Sequence, residues 1–412
     1  MNIQTKTKRV FDTDAYIKEY DATVISCVRS EKEGFEGLFE TVTDATIFSP
    51  EGGGQKSDVG FFDDIEVVDV REEGEEIIHF LKSEAECGKK VTQKIDFDLR
   101  FKRMQNHNAE HLICGLIHAR FGYDNVGFHL SENIDENGDL RIEAIMDVDG
   151  PIDAEALKEI EIAANKAIAK NVPIYALLPS CEEADKINFR SKLDIRDNLR
   201  LVVIEGFDVC ACCAPCLKTS AEIQLVKILD SMPHRGGMRL TLIAGLDAIG
   251  DYIFLHDENR QIMKMLSSER SNTSEAVSNM LDKASASHEE TVSLKKQITN
   301  LFTEKLVSGL KSDDKKINVF FAPSLDEVQS RNLINETAAS SMAVIAVMFA
   351  KNENTYRFVI GKDENLKDIS LNAIAKKMRE ELNARGGGSE QMVQGSVSAA
   401  EEDIISFFDK LN

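Results

Sequence analysis

A tight group of cysteines is the strongest constraint in this sequence. Four of the eight cysteines lie between residues 210 and 216, in the stretch VCACCAPCLK, and the other four are scattered between residues 27 and 181. One cluster among scattered thiols is typical of a reduced protein that holds a metal, not of a disulfide framework. Cys212 and Cys216 have the spacing C-x-x-x-C, and Pro215 would help to fix a turn that aims both sulfur atoms at one point.

A pair of histidines offers matching ligands. His107 and His111, in the stretch NHNAEH, stand four residues apart, which places both imidazoles on one face of a helix. Together with the thiolates of Cys212 and Cys216 they complete a tetrahedral Zn²⁺ site. Either of the other two cysteines of the cluster could replace one of these thiolates, and a structural knot made by the four cysteines alone is the alternative.

The same histidine stretch also fits a second kind of enzyme. His107, Glu110 and His111 form the pattern H-x-x-E-H, in which a zinc metalloprotease uses the glutamate to activate a metal-bound water. That interpretation leaves the cysteine cluster and two glycine-rich stretches without a role. The protease is therefore the weaker of the two zinc hypotheses.

The chain of 412 residues is long enough for several domains. Short alternating runs predict a small β-barrel over residues 1–95, and mixed helical and strand patterns predict an α+β zinc-binding domain over residues 96–250, including a helix that ends at Gly122. Residues 251–312 contain apolar residues at intervals of seven, which indicates either a coiled-coil linker or one long core-packed helix. Residues 313–412 read as an α/β domain with a glycine-rich loop. The predicted fold class is α+β and multidomain.

Composition excludes several locations and partners. The longest apolar stretches are too short to span a membrane, and the N-terminal residues MNIQTKTKRVFDTD have no apolar segment typical of a secretory signal, so a cytoplasmic protein is expected. The formal charge of −22 argues against non-specific binding to nucleic acid. A specific RNA ligand remains compatible with it.

Four stretches together resemble one known family. TDATIFSPEGGGQKSDVG, at residues 43–60, resembles the signature D-x-T-x-F-Y-x-E-x-G-G-Q-x-x-D-x-G of the editing region of alanyl-tRNA synthetases and their free-standing relatives. RMQNHNAEHLICGL is similar to the family's H-x-x-x-H helix, and CCAPCLKTSAEI is similar to its C-G-G-T-H-V-x-x-T-x-E-I. RGGGSEQMVQGS resembles the glycine-rich end of the synthetase C-terminal domain. With no aminoacylation domain before these motifs, a long-form editing protein without ATP binding is expected.

The resemblance implies an aminoacyl-tRNA deacylase that hydrolyses tRNA(Ala) mischarged with serine or glycine. The partners would be this tRNA and, through residues 251–412, a second copy of the chain. The implied zinc ligands are His107, His111, Cys212 and Cys216. Gln55 would lie at the aminoacyl end of the tRNA, and Gly53 and Gly54 would let the backbone approach that end closely. Apart from the family, those glycines are typical of a plain tight turn between strands.

This sequence departs from the family pattern at the site itself. Cys216 stands where the family usually has a histidine, which makes the expected zinc site richer in thiolate and less Lewis acidic. A non-catalytic tRNA-binding or oligomerisation protein with structural zinc is therefore the alternative to the hydrolase, ahead of the protease. Asn108 and Glu110 stand where synthetases commonly have threonine, beside the aminoacyl pocket. Glu110 is thus a candidate general base or a carboxylate outside the reaction. His129, in GFHLSEN, would contact the substrate or the terminal adenosine, or else lie in the core.

Overall fold

The computed structural model describes residues 7–134, 138–191, 199–310, 315–341, 343–353 and 355–412, and only the backbone of residues 339–341. The chain divides into two compact units, Met1–Gln261 and Ile262–Asn412. Both combine helices with mostly antiparallel sheets, so the predicted α+β, multidomain class is confirmed. None of the helices in the described part of the chain is long and apolar enough to cross a membrane.

The first unit begins with short strands around one apolar core. They are β1 (Lys8–Arg9), β2 (Glu19–Arg29), β3 (Phe39–Thr43), β4 (Ala45–Thr46), β5 (Gly60–Phe62), β6 (Ile65–Glu73), β7 (Glu76–Leu81) and β8 (Lys90–Ile95). Six of them close into a barrel in the order β2-β3-β7-β6-β5-β8, and β1 pairs with β4 in parallel. Residues of β8 alternate between exposed and buried, as the two-residue period of a strand requires. Val24, Phe62 and Val67 fill the barrel interior.

A long central helix, α1 (Phe97–Phe121), follows the barrel. The carboxylate of Asp96 accepts a hydrogen bond from the backbone N–H of Leu99 and caps the helix start. The helix ends at Gly122, whose φ of 73° lies in the left-handed region that glycine adopts without strain. The predicted helix end is confirmed. Residues 103–115 are all buried, so this helix carries its polar side chains into the interior.

The rest of the first unit surrounds α1 with two sheets and further helices. Its elements are β9 (Asn125–Ile134), β10 (Leu140–Val148), α2 (Ala154–Lys170), β11 (Ile174–Leu177), α3 (Cys181–Ala184), β12 (Leu201–Ile204), β13 (Asp208–Ala211), β14 (Val226–His234), β15 (Gly237–Ala244) and α4 (Gly245–Leu266). One antiparallel sheet has the order β14-β15-β10-β9, and the other has the order β11-β12-β13. Helix α4 continues past the division between the units.

The second unit is a single sheet with helices. Its elements are α5 (Thr273–Leu310), β16 (Ile317–Phe321), α6 (Glu327–Ser341), β17 (Val344–Asn352), β18 (Thr355–Lys362), α7 (Leu371–Glu381), β19 (Arg385–Gly388), β20 (Met392–Ser398) and α8 (Glu401–Asp409). The sheet order is β16-β17-β18-β20-β19, and β16 pairs with β17 in parallel. The heptad-like segment lies mostly in α5, one uninterrupted helix of 38 residues.

The glycine-rich stretch RGGG is a strand and not the expected loop. Residues Arg385–Gly388 form the edge strand β19, and Gly386 lies opposite Gly395 of the neighbouring strand. A Cβ atom built at Gly386 would lie 2.2 Å from the carbonyl oxygen of Gln394. Glycine thus permits a backbone approach that any side chain would prevent. The sequence pattern alone gave no sign of this pairing.

Candidate functional site

The two histidines of α1 form a stacked pair in the interior. The imidazole rings of His107 and His111 are nearly parallel, with centroids 5.0 Å apart, and each residue is 3% exposed. One helical turn separates them, so the spacing places both rings on the same face, as the sequence predicts.

Strand β13 brings a cysteine and an aspartate to these rings. Asp208 and Cys210 alternate along the strand, so their side chains point to the same side, and Cys212 follows it. The Cys212 sulfur lies 3.5 Å from Nε2 of His107. Ligand atoms of His107, His111 and Cys212 all lie within 4.8 Å of one another. Within the described residues, a second such group shares His111 and adds Asp208 and Cys210.

Hydrogen bonds fix which nitrogen of each ring faces the thiol. The amide oxygen of Gln55 lies 3.2 Å from Nδ1 of His107, and the carboxylate of Asp208 lies 3.3 Å from Nδ1 of His111. Both oxygens can only accept, so each Nδ1 carries the proton and each Nε2 keeps its lone pair in the neutral ring. Nε2 of His111 is buried and makes no hydrogen bond to any residue that the structure describes.

The charges of the site favour metal binding. Burial alone would raise the pKa of Cys212, but the two neighbouring imidazoles hold it well below the ordinary value for a thiol. Burial likewise opposes protonation of His111, but its hydrogen bond to Asp208 raises the pKa of that ring, so metal binding there would displace a proton. A thiolate with two imidazoles is a donor set that Zn²⁺ prefers. The unpartnered Nε2 of His111 indicates that these residues fit such an ion.

The other cysteines of the cluster lie at different distances from this group. Cys216 is buried but lies outside both groups, and its sulfur is 3.9 Å from the guanidinium of Arg200. Burial raises the pKa of Cys216 despite that nearby positive charge. Cys213 is exposed and lies against the glycine loop, where a Cβ atom at Gly52 would come within 3.3 Å of its sulfur. The structure thus brings together three of the four predicted ligands.

The glycine-rich loop is a tight turn that closes over the histidines. Gly52 and Gln55 exchange two backbone hydrogen bonds of 3.1 Å, and Gly53 and Gly54 between them have positive φ angles of 60° and 80°. Such a turn requires glycine-like residues at both central positions. The Gly54 carbonyl accepts a hydrogen bond of 2.8 Å from the backbone N–H of Leu130. The loop is therefore fixed against strand β9.

These elements surround a cavity of about 460 Å³ in the first unit. Its lining includes Gly53, Gly54, His107, Glu110, Phe128 and Arg190. The carboxylate of Glu110 accepts hydrogen bonds from the side chains of Asn125 and, at 3.1 Å, Cys114. The cavity thus contains a fixed carboxylate beside the two imidazoles and the thiol.

Two predicted substrate-binding residues lie away from this cavity. Asn108 is buried, and its side-chain oxygen accepts a 2.7 Å hydrogen bond from the backbone N–H of Leu217, so it ties α1 to the segment after the cysteine cluster. His129 is exposed and does not line the cavity. Its neighbour Phe128 does, with its ring 4.7 Å from that of His107.

Sequence reasoning missed Phe128, Asp208 and Arg190. Asp208 accepts two hydrogen bonds of 2.8 Å from the guanidinium of Arg190. Burial raises the pKa of Asp208, but its hydrogen bonds with His111 and Arg190 hold that pKa below its ordinary value. The alternation of Asp208 with Cys210 is a signal in the sequence that could have indicated Asp208. No local pattern marks Arg190, which comes from a separate segment.

Nearly the whole chain aligns with known proteins. No family model matches it. The chain is 25% identical to "Alanyl-tRNA editing protein AlaX-L" of Pyrococcus horikoshii over 97% of its own length and 96% of that protein. The chain resembles the long-form alanyl-tRNA editing proteins. The resemblance predicted from the motifs is confirmed by this alignment.

Other relatives match over part of their length. "Alanyl-tRNA editing protein Aarsd1" of Danio rerio is 30% identical over 56% of this chain and 57% of that protein. "Alanine--tRNA ligase" of Ignicoccus hospitalis is 28% identical over 98% of this chain but only 43% of the ligase. The chain thus spans about half the length of these two relatives. The C-Ala domain of Aquifex aeolicus alanyl-tRNA synthetase aligns with 23% of this chain and 90% of that domain, at 18% identity and a TM-score of 0.21, too low to support an argument.

Proposed function

We propose that this protein is an aminoacyl-tRNA deacylase that removes serine, and as a second substrate glycine, from mischarged tRNA(Ala). The names of the relatives support the tRNA(Ala) editing role. The observation that carries the proposal is the convergence of two imidazoles and a thiol at one cavity, beside the GGGQ loop. The shared position of the thiol and the imidazoles at this cavity supports a catalytic role for the cysteine cluster over a purely structural one.

An editing enzyme is needed because a binding pocket can discriminate only weakly between amino acids of similar size. A pocket that accepts alanine cannot strongly reject glycine, which is smaller, and discriminates only moderately against a substrate that adds one hydroxyl. A second hydrolytic site therefore raises accuracy beyond what binding supplies. The site proposed here must accept serine through a polar contact and spare alanine.

His107, His111 and Cys212 would hold Zn²⁺, and we propose Cys216 as the fourth ligand. When bound, Zn²⁺ would polarise the ester carbonyl or orient the aminoacyl group. Gln55 and Asp208 hold the Nδ1–H groups of the two histidines, which keeps each Nε2 free for coordination. The low pKa of Cys212 supplies the thiolate that coordination requires.

Residues of the chain would carry the proton and position the substrate. Glu110 lines the cavity and would take a proton from the water whose oxygen bonds to the ester carbonyl carbon. When the C–O ester bond breaks, this proton would pass to the ribose oxygen, which leaves as the hydroxyl of the tRNA. The hydrogen bonds from Asn125 and Cys114 keep its carboxylate in place. Gly53 and Gly54 would let the terminal adenosine approach the backbone, and the amide group of Gln55 would orient the aminoacyl ester.

The remaining parts of the chain would serve tRNA binding. We propose that residues 1–95 and 96–250 form the catalytic unit, that residues 251–312 link it to the C-terminal domain, and that residues 313–412 bind tRNA or form a homodimer. Helix α7 buries Leu371 and Met378 and exposes Lys376, Lys377 and Arg379. This basic face would meet phosphate groups of a cytoplasmic tRNA.

The test is the release of serine from Ser-tRNA(Ala) by the purified, zinc-loaded protein. We expect rapid release of serine, slower release from Gly-tRNA(Ala) and none from Ala-tRNA(Ala). His107→Ala and the milder Glu110→Gln should abolish or strongly reduce release. His129→Ala is the matched histidine control, because that side chain is exposed and lies outside the cavity.

Two results would contradict the proposal. If neither Ser- nor Gly-tRNA(Ala) is hydrolysed by protein that contains zinc, the deacylase assignment is wrong and a tRNA-binding protein with structural zinc becomes the better hypothesis. If His129→Ala loses activity as completely as His107→Ala, the cavity described here is not the reaction site.

A further inference from the structure

We infer that Asp208, anchored by Arg190, is the positioning residue that fixes His111 as a metal ligand. This inference rests on the zinc site of the proposed function. In this inference Asp208 is not itself a ligand, because its two carboxylate oxygens already accept hydrogen bonds from Arg190 and His111. The role of Asp208 and Arg190 is to hold one imidazole in one orientation and one tautomer.

The contact between Asp208 and His111 defines that orientation. The Asp208 carboxylate lies 3.3 Å from Nδ1 of His111, and both side chains are almost fully buried, at 3% and 4% exposure. Since a carboxylate accepts only, the proton of the neutral ring stays on Nδ1. Nε2 then points its lone pair toward Cys212, and within the described part of the chain no group donates a hydrogen bond to it. Carboxylate–histidine pairs of this kind orient ligands in many metal sites.

Arg190 holds the same carboxylate. Its Nε and one terminal nitrogen donate to the two carboxylate oxygens of Asp208, each at 2.8 Å. The backbone of Arg190 is also fixed to β13, because its N–H donates to the carbonyl of Val209 and its carbonyl accepts from the N–H of Ala211, both at 2.8 Å. Both ends of this residue are therefore held to the strand that carries Asp208. A bidentate pair leaves the carboxylate little freedom to turn.

Gly115 makes room for this arrangement. It lies one helical turn after His111 on α1, and a Cβ atom built there would lie 2.5 Å from the carbonyl oxygen of Phe207 and 2.8 Å from Cβ of Asp208. Only glycine therefore lets β13 approach the helix closely enough for Asp208 to reach the imidazole. Helix, strand and ion pair all serve the same contact.

The ion pair alone would be an ordinary buried Asp–Arg interaction. Loss of its carboxylate would leave a buried guanidinium without a partner, which destabilises any protein. The distinguishing prediction concerns the metal, because a purely structural pair would leave zinc affinity unchanged in protein that remains folded.

The experiment measures zinc affinity of the full chain by competition with a chromophoric chelator. Asp208→Asn is expected to weaken zinc binding about 10- to 100-fold, the usual effect of removing such a partner. The visible absorption of the Co²⁺-substituted protein should shift as well, since it reports the ligand geometry. Arg190→Lys keeps the buried charge but cannot donate bidentately, so we expect a smaller weakening in the same direction.

Asp147→Asn is the matched control. Asp147 also accepts two hydrogen bonds from an arginine, Arg239, at 2.7 and 2.8 Å, and also lies near a histidine, His234, but none of these is a predicted ligand. The Asp147→Asn variant should bind zinc as tightly as the unaltered protein. Thermal unfolding of each variant shows that the protein measured is folded.

The outcomes separate this inference from the proposed function. If folded Asp208→Asn and Arg190→Lys bind zinc as tightly as the unaltered protein, the positioning role is wrong and the deacylase proposal is unaffected. If the unaltered protein binds no zinc, both the metal site and this inference are wrong. A weakening in Asp147→Asn equal to that in Asp208→Asn would also overturn it.

Discussion

The side-chain oxygen of Gln55 lies 3.2 Å from Nδ1 of His107 and joins the glycine-rich loop to the histidine helix. Both residues are 3% exposed, so water does not compete for this contact. Under the proposed function, the loop would therefore act on the ligand set as well as on the substrate. This double role follows from the two ends of one amide, of which the oxygen accepts from His107 and the nitrogen can donate elsewhere.

Replacing Gln55 should separate these two roles. Gln55→Glu keeps an oxygen for the Nδ1–H of His107 but loses the amide donor, whereas Gln55→Ala loses both. We expect deacylation of Ser-tRNA(Ala) to fall about 10- to 100-fold in both variants, while only Gln55→Ala weakens zinc binding. Steady-state deacylation and chelator competition measure the two effects. Full activity of Gln55→Glu would show that the amide donor has no part in positioning the substrate.

Gly54→Ala should reduce activity in addition to the stability that it loses through its positive φ angle. Gly54 and Gly88 both have a φ of 80°, so alanine at either position costs about 1–2 kcal/mol of unfolding free energy. A Cβ atom at Gly54 would also lie 2.4 Å from the Phe128 carbonyl oxygen, whereas nothing lies within 4 Å at Gly88. Chemical denaturation and kcat/KM should show that only Gly54→Ala loses activity. Equal activity of the two variants would mean that the loop tolerates displacement.

The fourth metal ligand can be identified by zinc content. We expect about one zinc per chain in the unaltered protein, and a large loss in Cys212→Ser and Cys216→Ser. Cys210→Ser tests the competing ligand, since Cys210 is buried like Cys216 and belongs to the other candidate group, with His111 and Asp208. Native mass spectrometry measures the stoichiometry. Zinc retained by Cys216→Ser but lost from Cys210→Ser would replace Cys216 by Cys210 in the ligand set.

The sequence predicted those parts of the site whose geometry is set by neighbouring residues alone. The four-residue spacing of His107 and His111 fixes their shared face whatever surrounds the helix, and consecutive glycines permit the turn before Gln55. Asn108 lies on the same helix, next to His107, but its side-chain oxygen accepts a hydrogen bond from the backbone N–H of Leu217 and does not face the cavity. The orientation of a helical side chain depends on which segment packs against it, and the sequence does not contain that information locally.

The parts of the site that were missed depend on contacts between distant segments. Asp208 meets His111 across 97 residues of sequence, and Arg190 reaches Asp208 from a segment that pairs with β13. The RGGG stretch was wrongly expected to be a loop because glycine favours turns, but pairing with β20 makes it an edge strand. The contacts of Asp208 and Arg190 thus depend on packing between distant segments, whereas the RGGG strand belongs to a hairpin within residues 385–398 that its glycine composition does not indicate.

The barrel should lose stability in mild acid because of His79. This ring is fully buried, with Nδ1 donating to the Thr41 carbonyl at 3.1 Å and Nε2 within 2.7 Å of the Thr46 hydroxyl, and burial lowers its pKa from 6.5 to about 4. The unfolded chain therefore binds a proton first, so stability is fully present above pH 6.5 and falls as the pH drops toward 4. A shift of this size corresponds to about 3 kcal/mol of unfolding free energy. Chemical denaturation between these pH values should show that His79→Gln loses less unfolding free energy than the unaltered protein. His129→Gln, at an exposed position, is the control and should follow the unaltered protein. Parallel curves for all three proteins would contradict the assignment to His79.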